Sequence, residues 1–367
     1  MNYSYWEIKS WFTNIDFTII GSGIVGLSTA LHLKEKYPES NILILEKGQL
    51  PNGASTKNAG FACFGSLSEI SSDLKNHSIQ EVIDLVEKRW NGLGLLRQTL
   101  GDKNINFQQL GGYELFNSDS NLFEECVPEL SEINQYLKPI FKEDVFLVSE
   151  NRFQFSNIKT QLIQNKFEGQ IDTGKMMEAL LNKVQALRIK IINNAEVSYI
   201  DDFGTVSMEN NFSFQSNKII IATNGFANQF LEEDLQPARA QVLITEPINN
   251  LHIKGTFHLD EGYYYFRNID NRILLGGGRN LDFKGEETFE FGITKLIQQK
   301  LELLLKEVIL PNQEVEIEHR WSGIMGVGNQ KKAIVKQVSN NVYCGVRLGG
   351  MGVAIGSLIG KEISEII

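Results

Sequence analysis

The amino-acid sequence predicts an α/β fold, and three observations carry that expectation. Residues 16–48 read as strand, glycine turn, helix and second strand, the βαβ order of a parallel sheet. The chain has 367 residues, 42% hydrophobic and 22% charged, which suits a folded protein large enough for two domains. No low-complexity run, internal repeat or Pro/Gly/Ser linker divides it, so its domains are expected to be joined by several crossings.

The first unit is DFTIIGSGIVGLSTALHLKEKYPESNILILEKG. FTII is an apolar run, GSGIVG interrupts it, LSTALHLKEK has helical spacing, and NILILE returns to a strand. In a nucleotide-binding unit the three glycines act differently. Gly21 makes the tight turn, Gly23 admits a pyrophosphate to the backbone, and Gly26 lets helix and strand close up. Ile24 and Val25 stand in the first helical turn, whose free N–H groups face the phosphates. Glu46 ends the second strand where a ribose hydroxyl needs an acceptor, with Lys47 beside it. The unit predicts a nucleotide and leaves NAD and FAD both open.

Composition excludes other classes. A formal charge of −10, with no run of lysine or arginine, argues against a nucleic-acid partner. Cys63, Cys126 and Cys344 are too few and too scattered for a disulfide framework or a zinc site, and no metal is expected. No apolar run is long enough to cross a bilayer and the N-terminal residues lack a leader pattern, so a cytoplasmic protein is expected.

Further segments extend the pattern. GASTKNAGFACFGS (53–66) is small, polar and glycine-rich, and by composition alone is a surface loop. QIDTGKMMEALLNKVQALRIKIINNAEV, NKIIIATNGFANQF, PARAQVLITEP and EGYYYFRNIDNRILLGGGRN follow in order, and CGVRLGGMGVAIGSLIG stands near the end. Together they resemble the FAD-dependent amine and amino-acid oxidoreductases, a family that includes D-amino-acid oxidase, glycine oxidase, sarcosine oxidase and γ-glutamylputrescine oxidase. Asn224 stands where that family usually has glycine.

The resemblance implies a Rossmann-type FAD-binding domain (1–82, 150–232 and 326–367) interleaved with an α+β substrate domain on a mainly antiparallel sheet (83–149 and 233–325). It implies that Ser55, Thr56, Asn58 and Ala59 pass along the pyrophosphate and flavin, and that Val197, Ala222 and Thr223 also touch FAD. It places Gly349, Gly350, Met351, Gly352 and Val353 at the flavin pyrimidine, where a helix N-terminus stabilises the charge that collects on reduction. The alternative for these glycines is a close helix crossing in the core. No cysteine aligns with the covalent tether of the sarcosine-oxidase branch, so noncovalent FAD is expected.

The implied chemistry is oxidation of a C–N bond by hydride transfer to flavin N5, with a small amine or amino-acid-like substrate and with oxygen or another electron acceptor as partner. Tyr263, Tyr264 and Tyr265 alternate along a strand, so either the outer pair or the middle one faces the flavin; Tyr263 and Tyr265 are taken as the site pair, core packing being the other option. Arg267 and Arg279 can pair with a carboxylate or lie on the surface. Amino-acid-oxidising relatives often carry a clamp arginine after the motif that Trp321-Ser322-Gly323 resembles, but Ile324 and Met325 follow here. Arg320, Arg347 or a hairpin arginine would have to substitute. Met351 stands where many relatives have histidine. The oxygen-activating lysine of the sarcosine-oxidase branch would fall near Leu274, which leaves open a dehydrogenase feeding a quinone or carrier, or a nonenzymatic flavin-binding redox sensor.

Overall fold

A computed structural model describes residues 3–367. The apolar run Ile15–Ile20 is the central strand of a sheet whose parallel members lie in the order Val342–Val346, Ser213–Ile221, Ile15–Ile20, Ile42–Leu45 and Lys190–Ile192. Ile334–Gln337 adds an antiparallel edge, and the meander Val197–Ile200 and Thr205–Met208 hangs from Ser213–Ile221. Both faces of this sheet are covered, which explains why its strands are continuous apolar runs instead of alternating ones.

Helices Ile24–Lys36, Thr173–Ala186 and Gly352–Ile366 share one apolar core with this sheet. The final helix meets the first where its glycines are bare: a Cβ on Gly356 would lie 2.7 Å from Ile24, and one on Gly360 would lie 2.6 Å from Ser28. Helix Ile79–Leu100, opened by a capping box between Ser78 and Glu81, crosses the final helix on its other side at Gly92. Its residues Leu93, Leu96 and Leu100 belong to the nucleotide-side core. The expected boundary at residue 83 therefore cuts through a helix that packs on the first domain.

The second sheet has eight strands in the order Ile317–Val327, Gln236–Thr245, Arg272–Gly277, Tyr264–Ile269, Thr256–Leu259, Gly112–Leu115, Gln161–Asn165 and Phe146–Glu150. It is antiparallel except where Thr256–Leu259 runs alongside Gly112–Leu115. Gln161–Asn165, expected in the nucleotide-binding part, pairs in this sheet instead, so the chain returns to the first domain only after that strand. One face of the second sheet packs Tyr264, Phe266 and Phe257 against helix Lys295–Leu304; the other is turned toward the loops of the first domain. Among the described residues no helix is long and apolar enough to cross a membrane.

The glycine crossings carry a stability prediction. Gly92→Leu should separate two helices whose backbones touch, costing about 1–3 kcal/mol. Chemical denaturation of parent and variant checks this; equal midpoints would show that the crossing adapts without cost.

Candidate active site

The nucleotide end is built at the exit of the central strand. Gly21 adopts φ +102° and a Cβ there would lie 2.8 Å from the carbonyl oxygen of Ala222, so the turn needs glycine. A Cβ on Gly26 would run into the Gly21 carbonyl, which is the close helix–strand contact expected of this position. Gly23 caps helix Ile24–Lys36 without a side chain, and the Ser55 hydroxyl accepts the Ile24 N–H at 2.9 Å in its place. Val25 is buried in the turn above.

Glu46 is buried and fully engaged. One carboxylate oxygen accepts from Ser22 N–H (3.1 Å) and hydroxyl (2.6 Å), the other from the N–H groups of Gly48 (2.9 Å) and Asn52 (3.4 Å). These bonds use the acceptor capacity of a carboxylate, so Glu46 also ties the glycine turn to the second strand's exit. Lys47 departs from expectation: its side chain is exposed and pairs with Glu196 at 2.6 Å, away from the turn. Val197, next along, is buried against Leu43 and Leu45.

The loop after Glu46 is stapled by its own polar groups. Thr56 donates to Pro51 O (2.7 Å); Asn58 donates to Ser55 O (2.8 Å) and accepts from Gly60 N–H and the Thr173 hydroxyl, both at 2.9 Å. At the other end the strand Val342–Val346 runs into Gly349 (φ +57°) and Gly350 (φ +82°). Both are exposed; a Cβ on Gly349 would meet nothing within 4 Å, and one on Gly350 only Met325 Sδ at 3.4 Å. Met351 caps helix Gly352–Ile366 without a side-chain bond, leaving the N–H groups of Gly352 and Val353 without intrahelical acceptors. Asn224 occupies the position usual for glycine because it holds φ +47°, and its side chain accepts the Leu348 N–H at 3.2 Å. Thr223, after Ala222, has a buried hydroxyl with no partner. An open glycine turn, two helix N-termini and an orphaned hydroxyl fit an extended dinucleotide such as FAD. The glycines of the C-terminal stretch thus divide: Gly349 and Gly350 make the turn, whereas Gly345, Gly356 and Gly360 serve helix packing.

The register of the second sheet assembles the facing wall. Glu114 pairs with His258, His258 with Tyr265, Tyr265 with Gly276, Gly276 with Val242 and Val242 with Trp321, so these residues form one row on one face. Gly276 lets the Tyr265 ring lie flat across the row, where a Cβ would stand 2.6 Å away. Tyr265, Leu274, Val242 and Trp321 pack with Ala59 and Phe61 from the loop, and the Trp321 indole N–H donates to Lys57 O at 3.0 Å. Burial pushes the Tyr265 phenol up to about 12. Tyr263 does not join it: the residue precedes the strand, is 39% exposed and meets Phe283 edge to face.

Two further features complete the wall: a buried histidine that sequence reasoning missed, and an arginine that it named. His258 is buried with its Nε2 2.6 Å from Glu168, which also accepts the Thr256 hydroxyl at 2.7 Å. Burial opposes its charge, but Glu168, followed by Glu69 and Glu114, pushes the imidazole up to about 9. Glu114 is itself pushed upward by burial, against hydrogen bonds from Ser68 and Ser66. No metal-binding group of three His, Cys, Asp or Glu occurs among the described residues. The second feature is Arg267, on the same face as Tyr265 and 2% exposed, with burial lowering it to about 10 and Asp172 and Asp270 partly offsetting that.

A family model described as FAD dependent oxidoreductase, DAO, matches residues 16–366. The chain is 22% identical to γ-glutamylputrescine oxidoreductase of Escherichia coli, over 96% of this chain and 83% of that protein. Its fold resembles glycine oxidase from Geobacillus kaustophilus (TM-score 0.75, 15% identity, 96% of this chain and 94% of that one). Iminodiacetate oxidase from Chelativorans is similar to the same degree (TM-score 0.75, 16% identity, 95% and 94%).

The His258–Glu168 pair predicts a pH dependence. The folded imidazole is held at about 9 against an ordinary value near 6.5, so its stabilisation is complete below about 6.5 and is lost as pH rises through 9. The thermal midpoint of the parent should fall across that window, and that of His258→Gln should not. Parallel curves from pH 6 to 10 would assign the loss elsewhere.

Proposed function

The chain belongs to the DAO family of FAD-dependent oxidoreductases, and from that premise we propose that it oxidises a C–N bond of an amine or amino-acid-like substrate. When bound, FAD would supply the two-electron acceptor, at flavin N5, for the hydride released from the substrate carbon. In this reading the backbone at Gly21, Gly23 and Ile24, with Ser55, Asn58, Ala222 and Thr223, holds the dinucleotide noncovalently, and Gly349–Val353 receive the pyrimidine edge.

The observation that carries the reading is the wall opposite the loop. Tyr265, Leu274, Val242 and Trp321 close with Ala59 and Phe61 into an apolar lining that excludes water from a reacting carbon. Within this lining the one ionisable side chain is Tyr265, which keeps its proton at neutral pH, and the nearby His258 is held protonated beside Glu168. Hydride removal from a neutral amine needs no base. The product imine is then hydrolysed by water. The names of the relatives, an oxidoreductase of γ-glutamylputrescine and oxidases of glycine and iminodiacetate, support amines and amino acids as the substrate class.

A second reading concerns the acceptor. Leu274 is buried and apolar on the site face, with no lysine at its position, which favours a dehydrogenase passing electrons to a quinone or carrier over an oxidase. Anaerobic mixing with a panel of primary and secondary amines should bleach the flavin absorbance, and admission of air then separates the two. Rapid return of the yellow colour identifies an oxidase; slow return with fast reoxidation by a quinone identifies a dehydrogenase. Failure of every amine to bleach the flavin would overturn the C–N assignment in favour of a redox sensor.

A further inference from the structure

The buried Arg347 and Arg89 and the half-buried Arg320 have polar partners, although the Arg89 Nε is also without an acceptor. Arg320 reaches Gln298 (2.7 Å) and Glu302 (2.8 Å), Arg347 reaches Asp234 (2.9 Å) and Lys332 O (2.9 Å), and Arg89 donates to Phe64 O (2.9 Å). Arg279 is half-buried over the Phe283 ring. Arg267 is different. Among the described residues its side chain makes no hydrogen bond or ion pair, and its Nε is sealed from solvent with no acceptor. The carboxylates that act on it from a distance, Asp172 and Asp270, are not within ion-pair reach, and Asp172 is already engaged as the cap of helix Thr173–Ala186. Its cross-strand neighbour Thr256 gives its hydroxyl to Glu168. Room is kept for the guanidinium: a Cβ on Gly60 would lie 2.9 Å from it. A buried charge without a counter-ion is a large cost to a folded protein, and it is recovered when an anion arrives.

Position on the sheet excludes the simplest role. Met325, where relatives carry a clamp arginine, lies three strands away from Arg267 and six register positions along. At about 4.8 Å per strand and 3.3 Å per residue the two backbones are separated by about 24 Å. Arg267 therefore does not restore the missing clamp in place; it stands at the other end of the same face, two residues from Tyr265.

We propose that Arg267 forms an anion subsite at the hairpin end of the cleft, beside Tyr265 and Gly60, and that the substrate is an amine carrying a carboxylate which docks there. The proposal rests on the reading of the chain as an amine-oxidising flavoenzyme. The planar fork matches a carboxylate in two parallel hydrogen bonds. A substrate with a cationic tail, such as a free diamine, is repelled from this end.

The test uses the FAD-loaded protein, Arg267→Met and Arg267→Lys, titrated with acetate and with acetamide as its neutral counterpart. Flavin absorbance and thermal midpoint are both read. Acetate should perturb the spectrum and raise the midpoint of the parent, whereas acetamide should do neither. Arg267→Met should bind acetate at least tenfold more weakly yet melt higher than the parent without acetate, because an unpaired buried charge has gone; a structural arginine would give the opposite shift. Arg267→Lys should fall between in affinity. Equal acetate affinity in parent and Arg267→Met overturns the proposal. So does loss of FAD or a shifted reduction potential in that variant with acetate binding kept, which would make Arg267 a cofactor contact. If Arg267→Met does not fold, absence of any acetate effect on the parent is itself decisive against the subsite. Acetate binding without reduction by any amine overturns the functional reading and leaves the subsite standing.

Discussion

The close approach of helix Gly352–Ile366 to helix Ile24–Lys36 holds this molecule together. Gly356 and Gly360 press on Ile24 and Ser28, and helix Ile79–Leu100 closes from the other side at Gly92, so three segments far apart in sequence share one core. The same contact sets the site. The two helices whose N-termini open toward the candidate site are braced against each other, which fixes the spacing between those N-termini.

The second sheet contributes a different physical device, the alternation of side chains. One face is packed with Tyr264, Phe266 and Phe257 and makes the domain stable; the other carries Glu114, His258, Tyr265 and Arg267. Burying that many polar groups on one face is tolerable because most are satisfied locally. Glu114 takes bonds from the serines that open helix Leu67–Asn76, and Glu168 reaches over Gly112 to neutralise His258. Arg267 is left without a hydrogen bond or ion pair among the described residues, and the proposed anion subsite rests on that imbalance.

What the sequence by itself determined was local. The strand, turn, helix and strand of residues 16–48 follow from apolar periodicity and from glycines at positions where a side chain collides with backbone, and the roles of Gly21 and Gly26 are visible in the spacing alone. Alternation also separated Tyr264 from Tyr265. It did not say which of them faced the core, and it grouped Tyr263 with Tyr265, whereas the strand begins one residue later and leaves Tyr263 exposed. The pairing of Lys47 was not visible for a related reason: a long, flexible side chain follows the nearest carboxylate, and Glu196 lies 149 residues away in the chain.

Register and long-range charge were decided only by tertiary structure. The row from Glu114 to Trp321 joins five strand pairings, each slippable by a residue in sequence space, and a single slip would turn every one of these side chains to the opposite face. The pairing of His258 with Glu168 and the isolation of Arg267 depend on that register together with the return of the chain past residue 165. The division of the C-terminal glycines between turn and helix packing likewise required knowing which helix lay alongside. Sequence prescribes what each residue can do within a turn or two. Which groups meet across the sheet is set by how the chain closes on itself.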